Sequence, residues 1–95
     1  MNKEEYLLTC LMEECAEVQK ECAKALRFGL DNAWSNKTKR ELLTEELYDL
    51  QGIIVLLAKE NIVHSVDYKN PSIEKKVQKV KKFMEESRNL GCLDT

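Results

Sequence analysis

Apolar residues return at alternating intervals of three and four along the first part of the chain: Leu8, Leu11, Cys15, Val18, Cys22 and Ala25. That period lines one side of a helix. It predicts a first helix from about Lys3 to Arg27, with Arg27 in the last turn and Gly29 as the C-cap. Glu14, Glu17 and Glu21 follow the same rhythm on an adjacent stripe. Leu30 to Lys37 is a polar connection that holds Trp34, the chain's one tryptophan. Thr38-Lys-Arg-Glu41 is a capping box, so a second helix is expected to start there and to run to about Asn61. Ile62 to Asn70 has no helical period and reads as a loop. Pro71 suits the first turn of a third helix, with Ile73, Val77, Val80 and Met84 as its apolar stripe. Lys75, Lys76, Lys79, Lys81 and Lys82 surround that stripe, and Gly91 ends the helix.

The second helix joins two unlike halves. Glu41, Glu45, Glu46 and Asp49 crowd its first part, and Ile53 to Ala58 is almost continuously apolar. A helix apolar all round is normally buried, and carboxylates seldom enter buried surroundings unless a positive charge meets them. Three helices give little cover for such a segment. The expected fold is therefore all-α, a three-helix subunit whose oligomer completes a four-helix-bundle-like core.

Composition narrows the class. Ninety-five residues with 43% apolar content suit one small globular domain spanning 1–95. Three glycines and one proline leave little to interrupt long helices. A net charge near −2 gives no general attraction to nucleic acid. No nucleic-acid partner is expected: a nucleic-acid binder built on the lysine-rich third helix is a poor reading, because no aromatic residue except Phe83 is interleaved with those lysines. No apolar run is long enough to cross a bilayer and MNKEEY does not read as a signal peptide, so a cytoplasmic protein without membrane partners is expected. Cys10, Cys15, Cys22 and Cys92 form no C-x-x-C pair, and His64 has no partner histidine. These cysteines read as reduced core residues rather than zinc ligands.

The candidate chemistry lies in the acids. Glu13-Glu14-Cys-Ala-Glu17 on the first helix mirrors Glu45-Glu46-Leu-Tyr-Asp49 on the second. Residues three apart share a helical face, so antiparallel packing would bring Glu14, Glu17, Glu46 and Asp49 together. Four like charges repel unless a cation lies between them. Hard oxygen ligands suit Mg²⁺, with Mn²⁺ as an alternative, and leave open positions for water and phosphate oxygens. A di-iron carboxylate bundle would use Glu-x-x-His motifs, which this chain lacks. Taken alone, each acidic cluster is also what a solvated helix face looks like.

Glu14-x-x-Glu17 followed by Glu46-x-x-Asp49 resembles the E-x-x-E…E-x-x-D signature of the all-α nucleoside triphosphate pyrophosphohydrolases. Within that group, EECAEVQKECAKALRFG and ELLTEELYDLQGIIVLL look like small, single-domain MazG-like proteins. The resemblance covers about residues 4 to 61, and the lysine-rich third helix follows it more loosely. It implies Mg²⁺-dependent hydrolysis of a (deoxy)nucleoside triphosphate between the α and β phosphates, giving a monophosphate and pyrophosphate. It implies Glu14, Glu17, Glu46 and Asp49 as metal ligands. Glu13 and Glu45 match supporting acids, and one acid of the set would orient the attacking water. The physical chemistry agrees, because phosphoryl transfer needs charge neutralisation and positioning rather than a dedicated nucleophile.

On that reading Lys75, Lys79, Lys24 and Arg27 are candidates to face the triphosphate. Trp34 and Phe28 are candidates to lie against the base. The chain lacks the extra helices and insertions that select uracil or cytosine in larger relatives, so the base stays open. The competing class is a non-catalytic helical oligomerisation module, for which the acids are surface.

Overall fold

A computed structural model describes every residue except Trp34 and Thr95. It contains three helices, α1 (Lys3–Phe28), α2 (Lys39–Lys59) and α3 (Pro71–Asn89), and no strand among the described residues. An isolated antiparallel bridge pairs Ala33 with Thr38 in the connection between α1 and α2. The chain divides into two compact units, Met1–Ser65 and Val66–Thr95.

Local chemistry accounts for the helix ends. The side chain of Asn2 accepts a hydrogen bond from Glu5 N–H at 2.8 Å, and Thr38 Oγ1 accepts one from Glu41 N–H at 3.1 Å. Both are capping boxes, with the glutamate reaching back to the cap. Gly29 stops α1 at φ +86°, and its N–H donates to Ala25 O at 2.8 Å. A Cβ added there would meet Asn32 Nδ2 at 2.8 Å, so the site suits glycine on two counts. α2 stops where Asn61 takes φ +60°, and Ile62 N–H returns to Leu57 O. α3 starts at Asn70 with Pro71 in its first turn, and Gly91 follows it at φ +78°.

In the first unit α1 packs on α2 as an antiparallel hairpin. Lys3 Nζ at the start of α1 lies 2.6 Å from Glu60 Oε2 at the end of α2. At the other end Arg40 N–H donates to Leu30 O at 2.8 Å. Arg40 also holds Asp31 through two side-chain bonds of 2.9 and 3.2 Å. Leu7 and Leu57 are the buried apolar residues among those described, and of the two Leu57 is fully buried. Leu11, Val18 and Ala25 on α1, with Leu42, Leu43, Leu50, Ile53, Ile54 and Ala58 on α2, are half-buried.

The seam of α1 is not the stripe that apolar periodicity predicts. The positions turned inward are Leu7, Leu11, Glu14, Val18, Glu21 and Ala25, while Leu8, Cys15 and Cys22 are exposed. α1 is rotated so that its acid-bearing side meets α2. Both sets obey the same spacing of three and four, so spacing alone could not choose between them. The expectation of core cysteines is corrected with it: in this chain Cys15, Cys22 and Cys92 lie at the surface, and Cys10 is half-buried.

In the second unit α3 is amphipathic. Ile73, Val77, Val80, Phe83 and Met84 are all exposed.

Candidate acidic metal centre

The seam of the hairpin carries the acids. Glu14 from α1 and Glu46 and Asp49 from α2 each place a carboxylate oxygen within 4.8 Å of the others. Glu14 and Glu46 are half-buried, and Asp49 is exposed. Glu14 and Glu46 occupy seam positions of their helices, and Asp49 lies three residues on from Glu46, so the packing of α1 on α2 closes the triad.

The electrostatics are those of an uncompensated cluster. Glu46 is held above the ordinary carboxylate range, first by burial, then by the charges of Asp49, Glu17, Glu14 and Glu21. Glu14 Oε2 is buried with no hydrogen-bond partner among the described residues. Such an atom either carries an unmet desolvation cost or awaits a cation or a donor. An all-carboxylate set with an orphaned oxygen fits a hard divalent ion such as Mg²⁺, which takes one or two carboxylates and keeps several waters. The donor set has the wrong chemistry for a softer, nitrogen- or sulfur-seeking metal.

The remaining predicted site residues are distributed around this triad. Glu17 lies outside the close group and is exposed, although its charge reaches Glu46. Glu13 is exposed. Glu45 points away from the triad into a short ion pair with Lys37, whose ammonium is held above its usual range by that bond. Lys24 is half-buried and lies 3.5 Å from Glu21. Arg27 stacks over the Phe28 ring, its guanidinium carbon 5.2 Å from the centroid. Trp34 lies outside the described residues. Lys75 and Lys79 are exposed on α3, where they line a shallow surface depression with Ser72, Lys76 and Lys82.

Two charged residues with no assigned role turn out to be the most buried. Glu21 is 7% exposed and Lys39 is 4% exposed. The Lys39 ammonium lies 5.9 Å from the Phe28 ring centroid, so Phe28 has two cations near its ring. A signal for both was present. Glu21 is seven residues beyond Glu14, and Lys39 is seven residues before Glu46, which are the intervals that return to the same side of a helix.

No family model, curated protein or solved structure matches this chain.

Proposed function

We propose that this chain is a Mg²⁺-dependent nucleoside triphosphate pyrophosphohydrolase. It would cut between the α and β phosphates to release a monophosphate and pyrophosphate. One observation carries the reading: Glu14, Glu46 and Asp49, from both halves of the E-x-x-E…E-x-x-D pattern, converge at the helix seam. The resemblance of that pattern to the MazG-like enzymes supplies the reaction.

Glu14, Glu46 and Asp49 would hold the ion, with Glu17 beside them. Bound there, Mg²⁺ would neutralise phosphate charge and acidify a coordinated water. The chain's own residues set the conditions for this. Partial burial of Glu14 and Glu46 keeps their charges poorly screened and strengthens their hold on a cation. Glu46 binds a proton more readily than an ordinary carboxylate and must release it for the ion to enter. Toward the connection, Lys24, Arg27 and Phe28 follow on α1 with a cationic and aromatic surface suited to phosphates and a base.

Assembly belongs to the same reading. A hairpin with two buried apolar residues among those described removes too little surface from water to offset its ordering entropy. Leu8, Met12, Leu47, Val55 and Leu56 on the hairpin, and the α3 stripe, are exposed in the single chain. We infer that a second copy covers them and completes a four-helix-bundle-like core, because that cover must be present whenever the chain folds.

The exposed apolar surface would also serve a purely structural oligomerisation module, and one assay separates the two. Pyrophosphate release is measured from a panel of canonical and modified nucleoside triphosphates, with Mg²⁺ and with EDTA. The enzyme releases pyrophosphate only with Mg²⁺, and Asp49→Asn or Glu17→Gln lowers turnover at least a hundredfold without loss of folding. A folded oligomer that releases none from any triphosphate leaves the structural module.

A further inference from the structure

The outer side of α1 carries a surface that the acidic centre does not use. Leu8, Met12, Cys15, Gln19, Cys22 and Leu26 are all exposed, Met12 at 71% and Leu26 at 88%. Their spacings run four, three, four, three, four, which is the seam of a helix that pairs with another along its length. Ala16 and Ala23, also exposed, flank this stripe on the edge away from α2, so no bulky side chain there holds a second helix off. Every charged residue of α1 between Leu8 and Leu26 lies off the stripe: Glu13, Glu14, Glu17, Lys20, Glu21 and Lys24. A charge-free stripe about 27 Å long, on a chain that is 34% charged, has the character of a helix-pairing surface and not of a solvated face.

We propose that this stripe pairs antiparallel with the same stripe of a second copy, about a two-fold axis level with Glu17. Charge favours both the occupant and the direction. Two such stripes meet with no charge opposed, whereas the other exposed sides of α1 are charged. Glu13 and Lys20, both exposed, stand seven residues apart along the edge beyond Ala16 and Ala23. Antiparallel pairing sets Glu13 beside the partner's Lys20, and symmetry makes that contact twice. Parallel pairing would set glutamate against glutamate and lysine against lysine, and flanking charges of this kind choose the orientation of paired helices. In the antiparallel register Leu8 faces the partner's Leu26 at each end, and Cys15 and Cys22 pass from solvent into the interface. This inference rests on the assembly proposed above and is independent of the metal reading.

The test joins thiol labelling of the full chain to sedimentation. The reduced protein is treated with N-ethylmaleimide, and the rate at each cysteine is read by peptide mass spectrometry, folded and in urea. Cys15 and Cys22, exposed in the single chain, are expected to react at least tenfold more slowly in the folded assembly than in urea, and exposed Cys92 to change far less. Glu13→Lys, at an exposed position where folding is not at stake, is expected to raise the dissociation constant of the assembly about tenfold. Adding Lys20→Glu restores the opposite charges and is expected to return it to the wild-type value. An assembly whose Cys15 and Cys22 react as freely as Cys92 overturns the stripe as the interface and leaves the assembly standing. Protected thiols without rescue by the charge exchange overturn the antiparallel direction. A wild-type chain that sediments at the single-chain mass overturns the assembly itself.

Discussion

Glu46 is the residue on which the electrostatics of the hairpin turn. Its carboxyl is raised above 4.5 by burial and by four neighbouring acids. A carboxyl whose pKa is higher folded than unfolded opposes folding once it ionises, so its penalty grows as pH rises through that interval and is absent below it. With EDTA present, thermal stability is expected to rise as pH falls from 7 toward 4.5, and Glu46→Gln should flatten that slope and raise Tm at pH 7. Circular dichroism melts at stepped pH measure both. Cation affinity should move the other way, falling with pH as Glu46 takes up its proton, which calorimetry at pH 7 and pH 5.5 would read. If the metal-free melts show no pH dependence beyond that of Glu46→Gln, Glu46 is not under the stated repulsion. Leu57, 1% exposed, is the apolar counterpart. Leu57→Ala should cost about 2–5 kcal/mol, which a domain this small does not hold in reserve.

At the scale of the element, helix ends decide where the acids stand. Thr38 caps α2 through Glu41, and that start sets Glu46 and Asp49 two turns or more along the helix. Thr38→Ala should cost about 1 kcal/mol, a fall in Tm of about 4–8 °C for a domain of this size. Gly29→Ala should cost at least as much, because it adds a Cβ at positive φ against Asn32. The Asp31–Arg40 pair in the same connection is exposed on both sides. Arg40 holds the Asp31 carboxyl below its ordinary value, so the pair's support is present above that ordinary value and fades as pH falls through the lowered one. Asp31→Asn is expected to change the melt far less than Thr38→Ala does.

For the whole molecule, the prediction concerns mass. The 11.0 kDa chain is expected to sediment as a multiple of itself. Val55→Glu with Leu56→Glu, two exposed positions in the apolar half of α2, should return it to the single-chain mass with loss of helicity. A wild-type chain that sediments at 11.0 kDa and remains fully helical would overturn the assembly. The three helices, their order and their ends are legible in the chain itself, because capping boxes, a proline in a first turn and glycines at positive φ act over a few neighbouring residues. The mirrored acidic triplets point to Glu14, Glu17, Glu46 and Asp49 together, and of these Glu14, Glu46 and Asp49 come close while Glu17 stays outside the group. What spacing could not decide is the rotation of α1 about its own axis. The stripe holding Cys15 and Cys22 and the stripe holding Glu14 and Glu21 have the same period, and both end beside apolar residues. Only packing against α2 chose the acid-bearing side, buried Glu21 and Lys39, and left the cysteines in solvent, since burial depends on what a helix meets and a one-dimensional period carries no partner.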